Sequence, residues 1–228
     1  YKEDYSDFNE ISNRTYDATF ICVPTEMNED GSANITEIMD IVPKVQKLSD
    51  VVIIKSAVPV GTVKALGYGN IVISPEYYGT TQHSLESPNF VVIGANNSYI
   101  RSKASRIYQA VKSGSFRFIY VSAETAELAK YMENCWLATK VTFCNEFADV
   151  ARKVGIDYNE LRECFIADER VNPSHTFVYE DKPYYDSHCL NKDIPAFIKI
   201  GDKFGVETPL LDSVNSINID RKAVHKND

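Results

Sequence analysis

The sequence predicts an α/β protein: a mostly parallel sheet in the first half, then an all-α second half built on one long helix. Three observations predict it. Runs of β-branched and aromatic residues, each of strand length, recur through the first half. Helical stretches alternate with them. From Ser122 onward the apolar period becomes helical and stays so.

The strand runs are ATFICV (18–23), VVIIKS (51–56), IVIS (71–74), FVVIG (90–94) and FRFIYV (116–121). Near-continuous apolar runs of this kind suit strands covered on both faces, as in a parallel sheet flanked by helices. Between the first two runs, Ile35, Ile38, Met39, Ile41, Val42, Val45 and Leu48 form a helical stripe. Pro43 lies inside that stripe and is expected to kink or divide the helix. SYIRSKASRIYQAVKS (98–113) reads as a further helix with Gly114 as its C-cap.

Residues 122–155 read as one helix, with Ser122 as N-cap, Glu124 at the positive end of the dipole and Gly155 as terminator. Its apolar residues Leu128, Tyr131, Trp136, Leu137, Val141, Phe143, Cys144, Phe147 and Val150 cover more than one face. Such a helix belongs at the centre of a domain or in a dimer interface. Shorter helices follow at 158–166, 194–205 and 210–223. The expected domains are therefore 1–121, carrying the sheet, and 122–228, all helical.

Composition narrows the function classes. The 228 residues suffice for a sizeable core, and 24 basic against 32 acidic side chains give a net charge of −8. Without a basic patch, nucleic acid and anionic membrane are poor partners. No apolar run approaches the ~20 residues of a membrane span, and the polar N-terminus is unlike a signal peptide. Five cysteines (22, 135, 144, 164 and 189) form no CxxC pair, which argues against a disulfide framework or a zinc site. A reducing, cytoplasmic compartment fits, with no metal expected.

Several segments in order carry a resemblance. DATFICVPTEMNEDGSANI, IIKSAVPVGT, SPEYY, the long ETAELAKYMENCWLATKVTFCNEFADVARKVGID, SHCLNKD and FGVETPLLDSVNSIN resemble matching stretches of the UDP-glucose/GDP-mannose dehydrogenase family. The likeness spans nearly all of residues 1–222. It implies that 1–121 is the second half of a Rossmann-like NAD-binding domain. Residues 122–228 would then be the family's central domain, which dimerises. The implied activity is oxidation of a nucleotide-sugar primary alcohol to a carboxylate with two NAD⁺, UDP-glucose being the expected substrate.

The resemblance also assigns roles. Cys189 is the implied nucleophile that forms a thiohemiacetal and then a thioester. Asp193 orients water or acts as base, and Lys192 favours thiolate or holds a phosphate or carboxylate group. Lys130 and Asn134, one helical turn apart, stabilise the oxyanion and position water. Glu76 binds water or substrate. Val23, Pro24, Thr25, Ala57, Glu76 and Lys192 are the implied cofactor-side residues, several of them at strand ends where open α/β sheets bind ligands. Taken singly, each of these has a plainer reading. A helix lysine is usually solvated, and a free cysteine usually packs. That reading is retained for Cys22, Cys135, Cys144 and Cys164.

The sequence departs from the family in four places. No GxGxxG turn occurs, and its family position falls before Tyr1, so either the chain starts late in that domain or the fingerprint is lost. The chain ends near the point where the family's second Rossmann domain begins. YYDSH (184–188) replaces a glycine-rich run, so Tyr184, Tyr185 and Asp186 are expected to crowd the sugar. Ala57 replaces a threonine, Thr80 falls near a second family glutamate, and Phe90 replaces an arginine. The competing expectation is a catalytically silent relative acting as a dimeric binding or assembly module. A hydroxyacid-type dehydrogenase ranks last, because it leaves Cys-x-x-Lys-Asp unexplained.

Overall fold

Val51, Val52, Ile53 and Ile54 are four consecutive residues with no solvent exposure, so the strand that holds them must be covered on both faces. A computed structural model, describing residues 12–77, 89–112 and 116–225, shows how. Five strands form one sheet in chain order: β1 (Tyr16–Ile21), β2 (Ser49–Ile54), β3 (Ile71–Ile73), β4 (Phe90–Gly94) and β5 (Arg117–Val121). β1, β2 and β3 are parallel, β4 runs against β3 at the Ile73–Gly94 pair, and β5 is parallel to β4. The expected mostly parallel sheet is present, with one reversal between β3 and β4.

Period-2 alternation sends the apolar residues of β2 into two cores. Val52 and Ile54 pack with Ile38, Val42 and Val45 of helix α1 (Thr36–Val45). Val51 and Ile53 pack with Ile100, Ala104 and Tyr108 of helix α3 (Ser98–Val111). Asn97 caps α3, its side chain accepting from the Tyr99 and Ile100 amides. The expected Gly114 cap lies outside the described residues. Pro43 does not divide α1: it sits in the last turn, and the helix simply ends at Val45, short of the expected Leu48.

Helix α2 (Thr62–Leu66) is a single short turn between β2 and β3. The long helix α4 spans Ala123–Val154, with the Ser122 hydroxyl accepting from the Thr125 amide and Gly155 ending it at φ +74°. Helix α5 (Tyr158–Ile166) falls where expected. Helix α6 (His188–Phe204) begins six residues before the expected 194, and α7 is Pro209–His225.

The described residues fall into two compact units. One holds 12–26, 33–77, 89–112 and 116–130, which is the sheet, its helices and the first turns of α4. The other holds 27–32 and 131–225. In the second unit Cys135 and Ala138 of α4, Leu190 and Ile194 of α6, Val214 of α7 and Tyr185 form the core. Arg162 is buried there, its guanidinium 3.7 Å from the Phe177 ring centroid and its Nε donating to Thr176 Oγ1 at 2.9 Å. That arrangement satisfies a charge that burial would otherwise penalise. No helix among the described residues is long and apolar enough to cross a membrane.

Gly94 is the close-approach point of the first unit: a Cβ there would overlap the Ala126 methyl and press on the Ser122 and Ile73 carbonyls. Gly94→Ala should destabilise the protein by ~1–3 kcal/mol through forced overpacking, read as a lower urea midpoint. Gly69→Ala, where the added methyl meets nothing within 4 Å, is the control and should leave the midpoint unchanged or slightly raised.

Candidate active site

The second unit carries a buried carboxylate close to an exposed thiol. Ser187 caps α6, its hydroxyl accepting from the Leu190 amide at 3.2 Å, and so starts the helix just before Cys189. Leu190, Asp193 and Ile194 fall on one inward stripe, which carries Asp193 into the core at 1% exposure. Cys189, one turn before Asp193 at the start of the same helix, is exposed.

Both Asp193 oxygens are engaged. Asn134 Nδ2 donates to Oδ2 at 2.5 Å, and Lys192 Nζ lies 2.7 Å from Oδ1. A buried carboxylate without such partners would be strongly destabilising, so Asn134 and Lys192 are what allow Asp193 to sit there. Lys192 is itself largely buried and directed at Asp193. Cys135 is buried close by, and its thiol is pushed up to about 12, first by burial and then by the Asp193 charge.

The YYDSH run is tied into the second unit by two of its side chains. Tyr185 turns into the hydrophobic core at 4% exposure, and its amide donates to Asn218 Oδ1 at 2.9 Å. Asp186 pairs with Lys222 at 2.8 Å, and that hydrogen bond holds its carboxyl below the usual range. Tyr185 is thus spent on packing, and Asp186 on a lysine.

The first unit carries the strand-end residues. The Ser56 hydroxyl donates to the Val23 carbonyl at 2.6 Å, and the Thr25 hydroxyl donates to the Ala57 carbonyl at 2.9 Å. These bonds hold the segments after β1 and β2 side by side, with Val23 half-buried, Pro24 exposed and Thr25 buried. Beyond β3, Glu76 is exposed; its Oε1 accepts from the Tyr77 amide at 3.0 Å, and its Oε2 lies 3.3 Å from Lys55 Nζ. Lys55 also reaches the Tyr108 hydroxyl at 3.4 Å, which in turn donates to Ser74 Oγ at 2.8 Å. These groups line a cavity of about 390 Å³ together with Phe20, Cys22 and Phe90. Lys130 places its ammonium 4.9 Å from the Tyr77 ring centroid, and Tyr77 packs on Phe90 at 5.0 Å.

Each unit thus assembles part of the expected set: Asn134, Lys192 and Asp193 near Cys189 in one, Glu76 and the strand-end residues in the other. Lys55, Tyr77 and Glu127 are additions that sequence reasoning missed. A signal for Glu127 was available, since it interrupts the otherwise apolar stripe of Ala123, Ala126 and Tyr131. The packing role expected of four cysteines holds for Cys135 and Cys144, whereas Cys22 and Cys164 are exposed. Burial nonetheless raises the Cys22 thiol, against the lowering effect of Lys55.

This combination of parallel strand ends and a helical unit holding a paired carboxylate matches a known class at the level of sequence. Residues 5–112 match the NAD binding domain, and residues 124–220 the central domain, of the UDP-glucose/GDP-mannose dehydrogenase family. The chain belongs to that family. It is 30% identical over 218 residues to the UDP-glucose 6-dehydrogenase of Rickettsia prowazekii, covering 90% of this chain and 50% of that protein. A UDP-glucose dehydrogenase structure from Pyrobaculum islandicum aligns with a TM-score of 0.78 at 27% identity, over 92% of this chain and 51% of the other. A UDP-D-ManNAc dehydrogenase structure from Pyrococcus horikoshii also gives 0.78, at 21% identity, over 96% of this chain and 54% of the other, and shows the shared fold. The chain spans about half the length of the curated UDP-glucose 6-dehydrogenases it matches.

NAD is the cofactor of the matched N-terminal domain. The loops at the strand ends lie where open α/β sheets take their ligands. The loops after β1 and β2 are locked together by the Thr25 and Ser56 hydroxyls, which leaves Val23 and Pro24 to form a surface at the strand ends. The described residues contain no Gly-rich turn of the kind that cradles a pyrophosphate, so no phosphate contact is assigned among them.

Thiol chemistry gives a direct check. The thiolate is the reactive form, and a pKa near 12 leaves only ~10⁻⁴ of Cys135 ionised at pH 8. Iodoacetamide at pH 8 should therefore label exposed Cys189 and Cys164 well before Cys135, as read by peptide mass spectrometry. Early labelling of Cys135 would contradict the buried environment beside Asp193.

Proposed function

We propose that the chain carries the reacting groups of an NAD-dependent nucleotide-sugar dehydrogenase. The reaction proposed is oxidation of a sugar primary alcohol, UDP-glucose to UDP-glucuronate in type, through a cysteine-bound thiohemiacetal and thioester. The supporting observation is the fully engaged Asp193 carboxylate, held by Asn134 and Lys192 one turn from the exposed thiol of Cys189.

NAD⁺, held along Val23, Pro24, Thr25 and Ala57, would supply the hydride acceptor for each of the two oxidations. Cys189 adds to the aldehyde produced first, and the resulting thiohemiacetal, once oxidised, is a thioester open to water. Asp193 holds the proton that water must lose, its position fixed by the Asn134 amide. Lys130 stabilises negative charge on the substrate oxygen, and its cation rests on the Tyr77 ring. Glu76 orients water or substrate, anchored by Lys55. Val23, Pro24, Thr25 and Ala57 form the cofactor wall, while Lys192 acts through Asp193. The functional division falls between 121 and 122, with Val23, Pro24, Thr25, Ala57 and Glu76 before it and Lys192 after it.

A homodimer through α4 belongs to the same reading. Met132, Trp136, Phe143, Phe147 and Val150 leave an exposed apolar stripe on that helix. The net charge, the unpaired cysteines and the family's chemistry support a cytoplasmic location.

Mixing the protein with UDP-glucose and NAD⁺ should give two NADH per sugar, followed at 340 nm. Cys189→Ala should abolish turnover, and Asp193→Asn should lower it by ~10²-fold or more. Full turnover by Cys189→Ala would refute the thioester route. Light scattering at micromolar protein should give the mass of two chains, and Trp136→Glu should return it to one.

A further inference from the structure

Glu127 is a carboxylate with 1% exposure that the proposed chemistry does not use. Its Oε2 accepts from the Gly61 amide at 2.7 Å and its Oε1 from the Val63 amide at 2.8 Å. Those amides open α2, a helix of five residues with left-handed glycines at both ends, Gly61 at φ +93° and Gly67 at φ +73°. A helix this short does not hold itself together, and Gly61 has no side chain to cap it. The missing cap is supplied from α4 by Glu127. Burial pushes the Glu127 carboxyl up, against the lowering effect of the backbone amides it binds.

The contact leads toward the cofactor wall. The segment from Ala57 to Gly61 runs directly into α2, and the Ala57 carbonyl takes the Thr25 hydroxyl. Thr25 in turn belongs to the Val23–Thr25 segment, already tied to Ser56. Glu127 therefore fixes the far end of the segment whose near end faces the strand-end surface.

We infer that Glu127 is a positioning residue for the dinucleotide: a side-chain cap, supplied from the long helix, that sets the 57–63 segment and through it the surface formed by Val23, Pro24 and Ala57. The inference rests on the proposal that NAD⁺ lies along these strand ends. It goes further in naming a residue that touches neither cofactor nor substrate.

Hydrogen exchange and NAD⁺ titration of Glu127→Ala and Glu127→Gln test it. In the alanine variant the Gly61 and Val63 amides should exchange ~10-fold faster or more, with the β2 amides of Val52–Ile54 unchanged. The NAD⁺ dissociation constant should rise ~10-fold or more, and the glutamine variant, which keeps one acceptor, should fall between. Should the alanine variant fail to fold, the isosteric glutamine variant makes the same comparison. Unchanged Gly61 and Val63 exchange overturns the cap. Freed amides with an unchanged NAD⁺ constant leave the cap structural and overturn the positioning role. Equal loss of protection in β2 overturns it as well, because Glu127 would then support the whole unit. Failure of the unmodified protein to bind NAD⁺ sinks the cofactor proposal itself, an outcome separable from the others.

Discussion

The docking of the first turns of α4 on the sheet is the contact the first unit depends on. Gly94 has no side chain because Ala126 fills that space, and Ala123 and Ala126 are themselves fully buried. Small residues on both partners let a helix backbone approach a strand closely, so the register between them admits little variation. Everything that α4 presents to this unit inherits that register: Glu127 at the start of α2, and Lys130 over Tyr77 one turn on. Two alanines and a glycine thereby set where a carboxylate and an ammonium can reach.

Charge placement in the second unit follows a different logic. Asp193 is drawn inward by its apolar helix neighbours and made tolerable by Asn134 and Lys192. Removing Asn134 would leave one carboxylate oxygen without that donor in a dry setting, which costs more than losing a surface contact. The same apolar surroundings raise Cys135, while Cys189 remains exposed at the helix start. Two cysteines of one chain are thus separated by environment alone, one kept protonated and the other open to solution.

The sheet and the long helix were legible because their signals are local. Four fully buried residues in a row in β2 and a capped run from Ser122 to Gly155 each announce themselves over a short window. The start of α6 was not legible, because the true boundary is set by the Ser187 side chain, which carries no periodic signal of its own. Cys189, Asp193, Asn134 and Lys130 were reachable through the family resemblance, and Asn134 and Asp193 prove to touch. Lys55 was missed because its role lies entirely in partners distant along the chain, and Glu127 because the break it makes in an apolar stripe does not name its partners. The inward direction of Tyr185 was not legible either, because bulk in a sequence does not say which side of the backbone it occupies.

One residue of the exposed α4 stripe has a practical consequence. Trp136 is the single tryptophan of the chain and is 60% exposed. Its indole emission therefore reports one location without interference, and water contact sets its wavelength. Any surface that comes to cover the stripe, whatever its origin, would shift that emission to the blue and shield it from iodide. The protein carries its own optical reporter at the face where assembly would be felt first.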